Sequence, residues 1–169
     1  MDRILDDRTR ISCQVWGIAE QYNISISVAK EIINSYLNHC KVSLVNGECV
    51  DFFGIVRIVP DRIQTDYSST LGYECLKVAN SLSMPYYTVY AVIKAYLNDL
   101  LDNILNGRVA EVRGLVTVKP LLVDGKLTTV HSHISQSLKE VLQRSTSPVS
   151  SVRVHTYKSL RDRMGLSNP

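Results

Sequence analysis

No run of eighteen apolar residues occurs in the chain, so nothing in it reads as a membrane-spanning helix. Cysteine is scarce and unpatterned: Cys13, Cys40, Cys49 and Cys75 include no Cys-x-x-Cys pair. That spacing gives no zinc or dithiol framework and leaves buried, reduced thiols as the expectation. A glycine-rich phosphate loop is missing, as is any Ser or Cys nucleophile set beside a His and an orienting acid. An enzyme is therefore not expected, nor is a small-molecule substrate. His131 and His133 alternate as on a strand, but no third ligand follows nearby, so no metal or cofactor is expected. The opening "MDRILDDRTR" lacks the apolar core of a secretory signal, and the protein is expected to fold in the cytoplasm where it is made.

What the chain does have is a globular balance: 45% hydrophobic and 21% charged residues over 169 positions. That is enough for one average domain or two small ones with a buried core. The net charge of +3 is unevenly placed. Residues 1–70 hold seven Lys/Arg against nine Asp/Glu, and residues 71–169 hold twelve against seven, so the halves carry −2 and +5. The basic half permits nucleic-acid binding without demanding it.

The chain also repeats itself. "LVNGECVDFFGIVRIVP" (Leu44 to Pro60) returns as "ILNGRVAEVRGLVTVKP" (Ile104 to Pro120), and a shift of 60 aligns Ile18–Pro60 with Val78–Pro120 without a gap. Ten of those 43 pairs are identical, among them Tyr36/Tyr96, Asn46/Asn106, Gly47/Gly107, Gly54/Gly114 and Pro60/Pro120. Within each copy the order reads helix, turn, long helix, hairpin. The first helix is expected over about Ile11–Tyr22 and Gly72–Leu82. In the long helix, Ile32, Ile33, Tyr36, Leu37, Cys40 and Leu44 recur at three- and four-residue steps, as do Val89, Val92, Ile93, Tyr96, Leu97, Leu100 and Ile104. Ser25 is the expected N-cap, Pro85 belongs in the first turn, and Gly47 ends the first long helix. After each Gly the period becomes two, through Val50, Phe52, Val56 and Ile58 and through Ala110, Val112, Val116 and Val118, with Gly54 and Gly114 at the bends.

These motifs, "ISISVAKEIINSYLN…LVNGECVDFFGIVRI" and "VIKAYLNDLLDNILNGRVAEVRGLVTV", resemble the histone-like HU and integration host factor (IHF) proteins. The end, "SSVRVHTYKSLRDRM", looks like that family's last strand and terminal helix. The resemblance implies an α+β fold of two HU/IHF-like units fused as an internal pseudo-dimer. The units are expected over residues 1–62 and 72–169 with a linker at 63–71, the second unit being completed by the C-terminal strand and helix. Proteins of that family are dimers whose β-ribbon arms bend DNA. Here the arm's place, about 122–149, reads as a short hairpin turning at Asp124-Gly125 and a helix from His133 to Arg144. No Arg-Asn-Pro tip is present.

The chain is also similar to IHF-like proteins of crAss-like tailed phages. That likeness implies a ring or connector component of the virion neck or tail, with other virion proteins or copies of itself as partners. The alternative is an architectural, nucleoid-associated protein that binds or bends duplex DNA. For that role the candidate phosphate contacts are Lys119, Lys126, Lys139, Arg144, Arg153, Lys158, Arg161 and Arg163. Arg57 and Arg113 flank the bends in a more acidic neighbourhood and rank lower. For protein contact the candidates are Tyr86, Tyr87 and Tyr90, of which at least one should be exposed, whereas Tyr96 and Trp16 are expected in the core.

Overall fold

The structure, a computed structural model, describes residues 15–52, 55–62, 68–144, 149–156 and 160. It is α+β, with five helices and two small sheets among these residues. Residues 15–21 form α1, followed by α2 (Ile26–Val45), β1 (Cys49–Phe52), β2 (Val56–Pro60) and the two-residue β3 (Ser68–Ser69). Then come α3 (Leu71–Leu82), α4 (Tyr86–Leu105), β4 (Ala110–Val112), β5 (Val116–Val123), β6 (Lys126–Ile134), α5 (Gln136–Arg144) and β7 (Val152–Thr156).

The 60-residue shift governs the backbone as well as the letters. Helices α2 and α4 begin and end at positions 60 apart. The same helical positions are buried in both: Ala29/Val89, Ile32/Val92, Ile33/Ile93, Tyr36/Tyr96, Leu37/Leu97, Cys40/Leu100 and Leu44/Ile104. These are the three- and four-residue steps that put one apolar stripe against the core. Gly47 and Gly107 stop the two helices at φ 83 and 77, a left-handed conformation that glycine adopts without a Cβ clash. The hydrogen bonds repeat too, with Ile24 N donating to Ala19 O and Met84 N to Ala79 O, both at 3.0 Å. Ser25 caps α2 by accepting from Val28 N, as its position predicts. Pro85 lies one residue earlier than the sequence suggests, at the N-cap of α4, with no side-chain cap bond.

One hydrophobic cluster holds apolar residues of both copies together with Leu138 and Leu142 of α5. Inside it Tyr36 and Phe52 meet edge to face, with ring centroids 6.3 Å apart. Lys41 of α2 donates to Ser137 of α5 at 3.3 Å, directly over the β4–β5 turn, where Gly114 has φ +78. A Cβ on Gly114 would stand 3.4 Å from the Lys41 ammonium.

The sheets correct the expected chain path. Strand β7 does not complete the second copy; it pairs antiparallel with β2, in the order β3-β1-β2-β7, while the second copy's sheet is β4-β5-β6. The reason is an edge. Strand β5 already has β6 on its far side, whereas β2 offers an open row of hydrogen-bonding groups that a strand must cover. The registers match: Val56, Ile58 and Pro60 face Thr156, Val154 and Val152, as Val116, Val118 and Pro120 face Ile134, Ser132 and Val130. Thus β7 stands to β2 as β6 stands to β5. A shift of 22 aligns "VHSHISQSL" (Val130–Leu138) with "VRVHTYKSL" (Val152–Leu160), and Leu138 and Leu160 are both fully buried. The first copy is therefore interrupted after Pro60, and the second copy occupies the gap.

Two further differences concern the arm's place. The hairpin spans Val116–Ile134, longer than expected, and the helix begins only at Gln136, because His133 and Ile134 are still paired with Thr117 and Val116. Ser135 then caps α5 by accepting from Leu138 N. Asp124 and Gly125, at φ 52 and 77, form the expected two-residue turn. Within the expected linker, Ser68 and Ser69 form β3, parallel to β1, and residues 63–67 lie outside the described residues.

Candidate functional site

Helix α4 carries Tyr86, Tyr90, Lys94 and Asn98 at four-residue steps, which places them on one face. The Tyr86 and Tyr90 rings lie 5.9 Å apart and tilted by 30°, and the Lys94 ammonium sits 5.6 Å from the Tyr90 ring centroid. Gly72 at the start of α3 lets Tyr86 lie close, since a Cβ there would come within 3.2 Å of its hydroxyl. Between this ladder, the start of α3 and strand β1 is a cleft of about 540 Å³ with Leu97 as its floor. Desolvation raises the Tyr86 phenol above its ordinary value, and neighbouring Cys75 and Tyr90 add to that.

Asp51 of β1 lines the same cleft. In register it stands opposite Arg57, on the face of β1 turned away from buried Val50 and Phe52. Its Oδ1 is buried and has no hydrogen-bond partner among the described residues. Burial raises its carboxyl pKa, and Arg57 partly offsets that shift. The cleft thus offers paired rings, an apolar floor and a cation at the rim. A second hollow of about 430 Å³ lies against Tyr90, Lys94 and Asn98 as well, and is lined also by Gln21 and Tyr22 of the first copy and by Ala91, Ala95 and Asp99.

Of the three tyrosines expected at an interface, Tyr86 and Tyr90 meet in the cleft; Tyr87 is 76% exposed and does not line it. Tyr96 is in the core, as expected. Trp16 is not: it is 63% exposed. The inner face of α1 is already filled by Val15, Ile18 and Ala19, which leaves position 16 pointing outward, as does its counterpart Leu76.

A second polar group is internal. Glu74 of α3 is 1% exposed, accepts from Ser43 Oγ of α2 at 2.7 Å, and pairs with Lys77 at 3.3 Å. Lys77 also donates to Ser43 at 3.2 Å and lies 4.3 Å from the Tyr73 ring centroid. This group joins the two copies; the positions 60 residues from Ser43, Glu74 and Lys77 are Asn103, Gln14 and Gly17, of which Gln14 lies outside the described residues. Cys40, Cys49 and Cys75 are buried free thiols, and Cys13 lies outside the described residues. Burial drives the Cys40 thiol far up and pushes Cys75 to about 12, so neither is a thiolate near neutral pH.

The basic candidates are spread over several elements. Lys119 is exposed on β5 opposite His131, Lys139 and Arg144 are exposed on α5, and Arg153 is exposed on β7. Lys126 lies at the start of β6, next to the hairpin turn. Lys158, Arg161 and Arg163 lie outside the described residues. His131 and His133 are both exposed on one face of β6, their rings stacked 6.5 Å apart. Among the described residues no group of three or more His, Cys, Asp or Glu is placed to hold a metal ion, and no helix is long and apolar enough to cross a membrane.

Asp51, Lys94 and Asn98 were not singled out by the sequence. The four-residue step from Tyr86 through Asn98 was visible in it, but Asp51 reaches the cleft only through strand pairing. No protein-family model matches the chain, and neither the curated proteins nor the solved structures contain a match.

Proposed function

We propose that this chain is a non-enzymatic assembly protein, built from two HU/IHF-like units fused as a pseudo-dimer. In this reading it serves as a ring or connector component of the neck or tail of a tailed-phage virion and acts through protein–protein contacts. One observation carries the reading: the two long helices bury matched positions, yet the first half of their outward crests differs. At the crest of the long helix, Tyr86, Tyr90 and Lys94 in one copy stand where Ile26, Lys30 and Asn34 stand in the other. A homodimer offers two identical faces, whereas this fused pair offers two different ones, as an asymmetric place in an assembly requires.

A second reading, an architectural protein on duplex DNA, is favoured by the hairpin. Beyond Val118, strand β5 has no pairing with β4, so residues 119–131 form a two-stranded ribbon whose outer face carries Lys119 and His131. Duplex titration at two salt concentrations with a bending readout separates the readings. Under the assembly reading, binding is weak and bending absent, and electron microscopy shows rings or particle-bound protein. Tight, steeply salt-dependent binding with a large bend would overturn it.

A further inference from the structure

We infer that copies of this chain associate head to tail, the α1 face around Trp16 of one copy seating in the α3–α4 cleft of the next. The inference rests on the assembly reading above and names the contact it would use. Trp16 is the single tryptophan of the chain and stands 63% exposed. It cannot turn inward without exposing Val15, Ile18 and Ala19, which are buried. Large aromatic side chains in this position are the usual anchors of protein contacts.

Gly17, beside it, is exposed, and a Cβ added there meets nothing within 4 Å among the described residues. Glycine inside a helix costs about 1 kcal/mol relative to alanine, and nothing described within the chain requires it. A second surface closing over the bare backbone does. Glu20, one turn on from Trp16, places an exposed carboxylate beside it.

The cleft complements Trp16 and Glu20. Its Tyr86 and Tyr90 rings and Leu97 floor suit an indole body. Lys94 at the rim suits Glu20. The volume of about 540 Å³ is that of a site that holds a whole small ligand, so one side chain fits inside it. Trp16 does not line its own chain's cleft. Knob and socket are different surfaces, and such contacts build rings or filaments rather than closed pairs.

Sedimentation velocity on the full chain, read together with emission from Trp16, tests this. Association should rise with concentration as the emission shifts to the blue. Trp16→Ala and Tyr90→Ala should each weaken association roughly 30-fold or more, with unchanged far-ultraviolet circular dichroism. An equimolar mixture of the two variants should give a dimer and nothing larger, since each supplies the surface the other lacks. Gly17→Ala should raise Tm while weakening association.

A wild-type chain that stays monomeric overturns the inference. So do variants that assemble like wild type, a mixture that stays monomeric, or a Gly17→Ala chain that associates undiminished. Assembly that ignores Trp16 and Tyr90 overturns this contact and leaves the assembly reading standing. Strong duplex bending overturns the assembly reading itself.

Discussion

The two copies of the repeat differ most in how their sheets are closed. In the second copy, Pro120 and Val130 are paired across a local hairpin, residues 121–129. In the first, Pro60 and Val152 form the same pair, but residues 61–151, the whole second copy included, lie between them. An unfolded loop about ten times longer costs roughly 2 kcal/mol more to close. The insert is folded and returns its ends side by side, so the first copy avoids much of that cost. The arrangement tells that one copy depends on the other: the first sheet is complete only when the second copy has folded.

That dependence makes the largest prediction. Leu44 and Ile104 occupy matched positions in one shared cluster, each fully buried. Leu44→Ala and Ile104→Ala should each cost about 2–5 kcal/mol, and each should shift a single cooperative transition in urea with the m-value unchanged. Two separated transitions, or a loss confined to one copy's signals, would break the comparison and make the copies independent domains.

Much of this pairing is legible in the sequence. The helix faces follow from period alone, and the α2 and α4 positions expected in the core are buried. Local turn chemistry at Gly47, Gly107 and Asp124-Gly125 was equally readable. The destination of β7 was not, because alternation in "VRVHT" says that a strand exists and nothing about which edge it covers. The 22-residue shift carried that information, and the 60-residue repeat obscured it. Trp16 was misplaced for a related reason: a large apolar residue in an amphipathic helix reads as core until its neighbours are seen to fill that side. Glu74 gave no sequence signal, since a carboxylate in a helix reads as solvated.

Glu74 supplies the next test, because it marks where the pseudo-symmetry fails. Its carboxylate is buried against Ser43 of the first copy and Lys77 of its own helix. Glu74→Ala leaves Ser43 and Lys77 without this shared acceptor and should cost about 3 kcal/mol in urea unfolding, in the range for breaking a buried pair. Glu74→Gln should cost less, since the amide oxygen can still accept from Ser43. A loss below about 0.5 kcal/mol for Glu74→Ala would mean that the group does not hold the copies in register.

The smallest effect lies where the interrupted copy is stitched together. Asp61 follows β2 and Ser150 precedes β7; Ser150 N donates to Asp61 Oδ1 at 3.1 Å, its hydroxyl to Oδ2, and Asp61 N donates to Ser151 O at 2.9 Å. The Ser150 hydroxyl chiefly lowers the Asp61 pKa; desolvation opposes it, and backbone donors at Ser151, Ser150 and Arg62 add to the lowering. A carboxylate whose pKa is depressed on folding stabilises above its unfolded value and loses that contribution as pH falls through the folded one. The wild-type chain should therefore lose slightly more Tm than Asp61→Asn between pH 5 and pH 3, with water screening keeping the difference small. Nothing comparable is needed at Pro120 and Val130, where the hairpin itself holds the strands. Equal acid sensitivity in wild type and Asp61→Asn would mean that β2 and β7 are held by their ladder alone, and that the stitch is incidental to closing the first copy around the second.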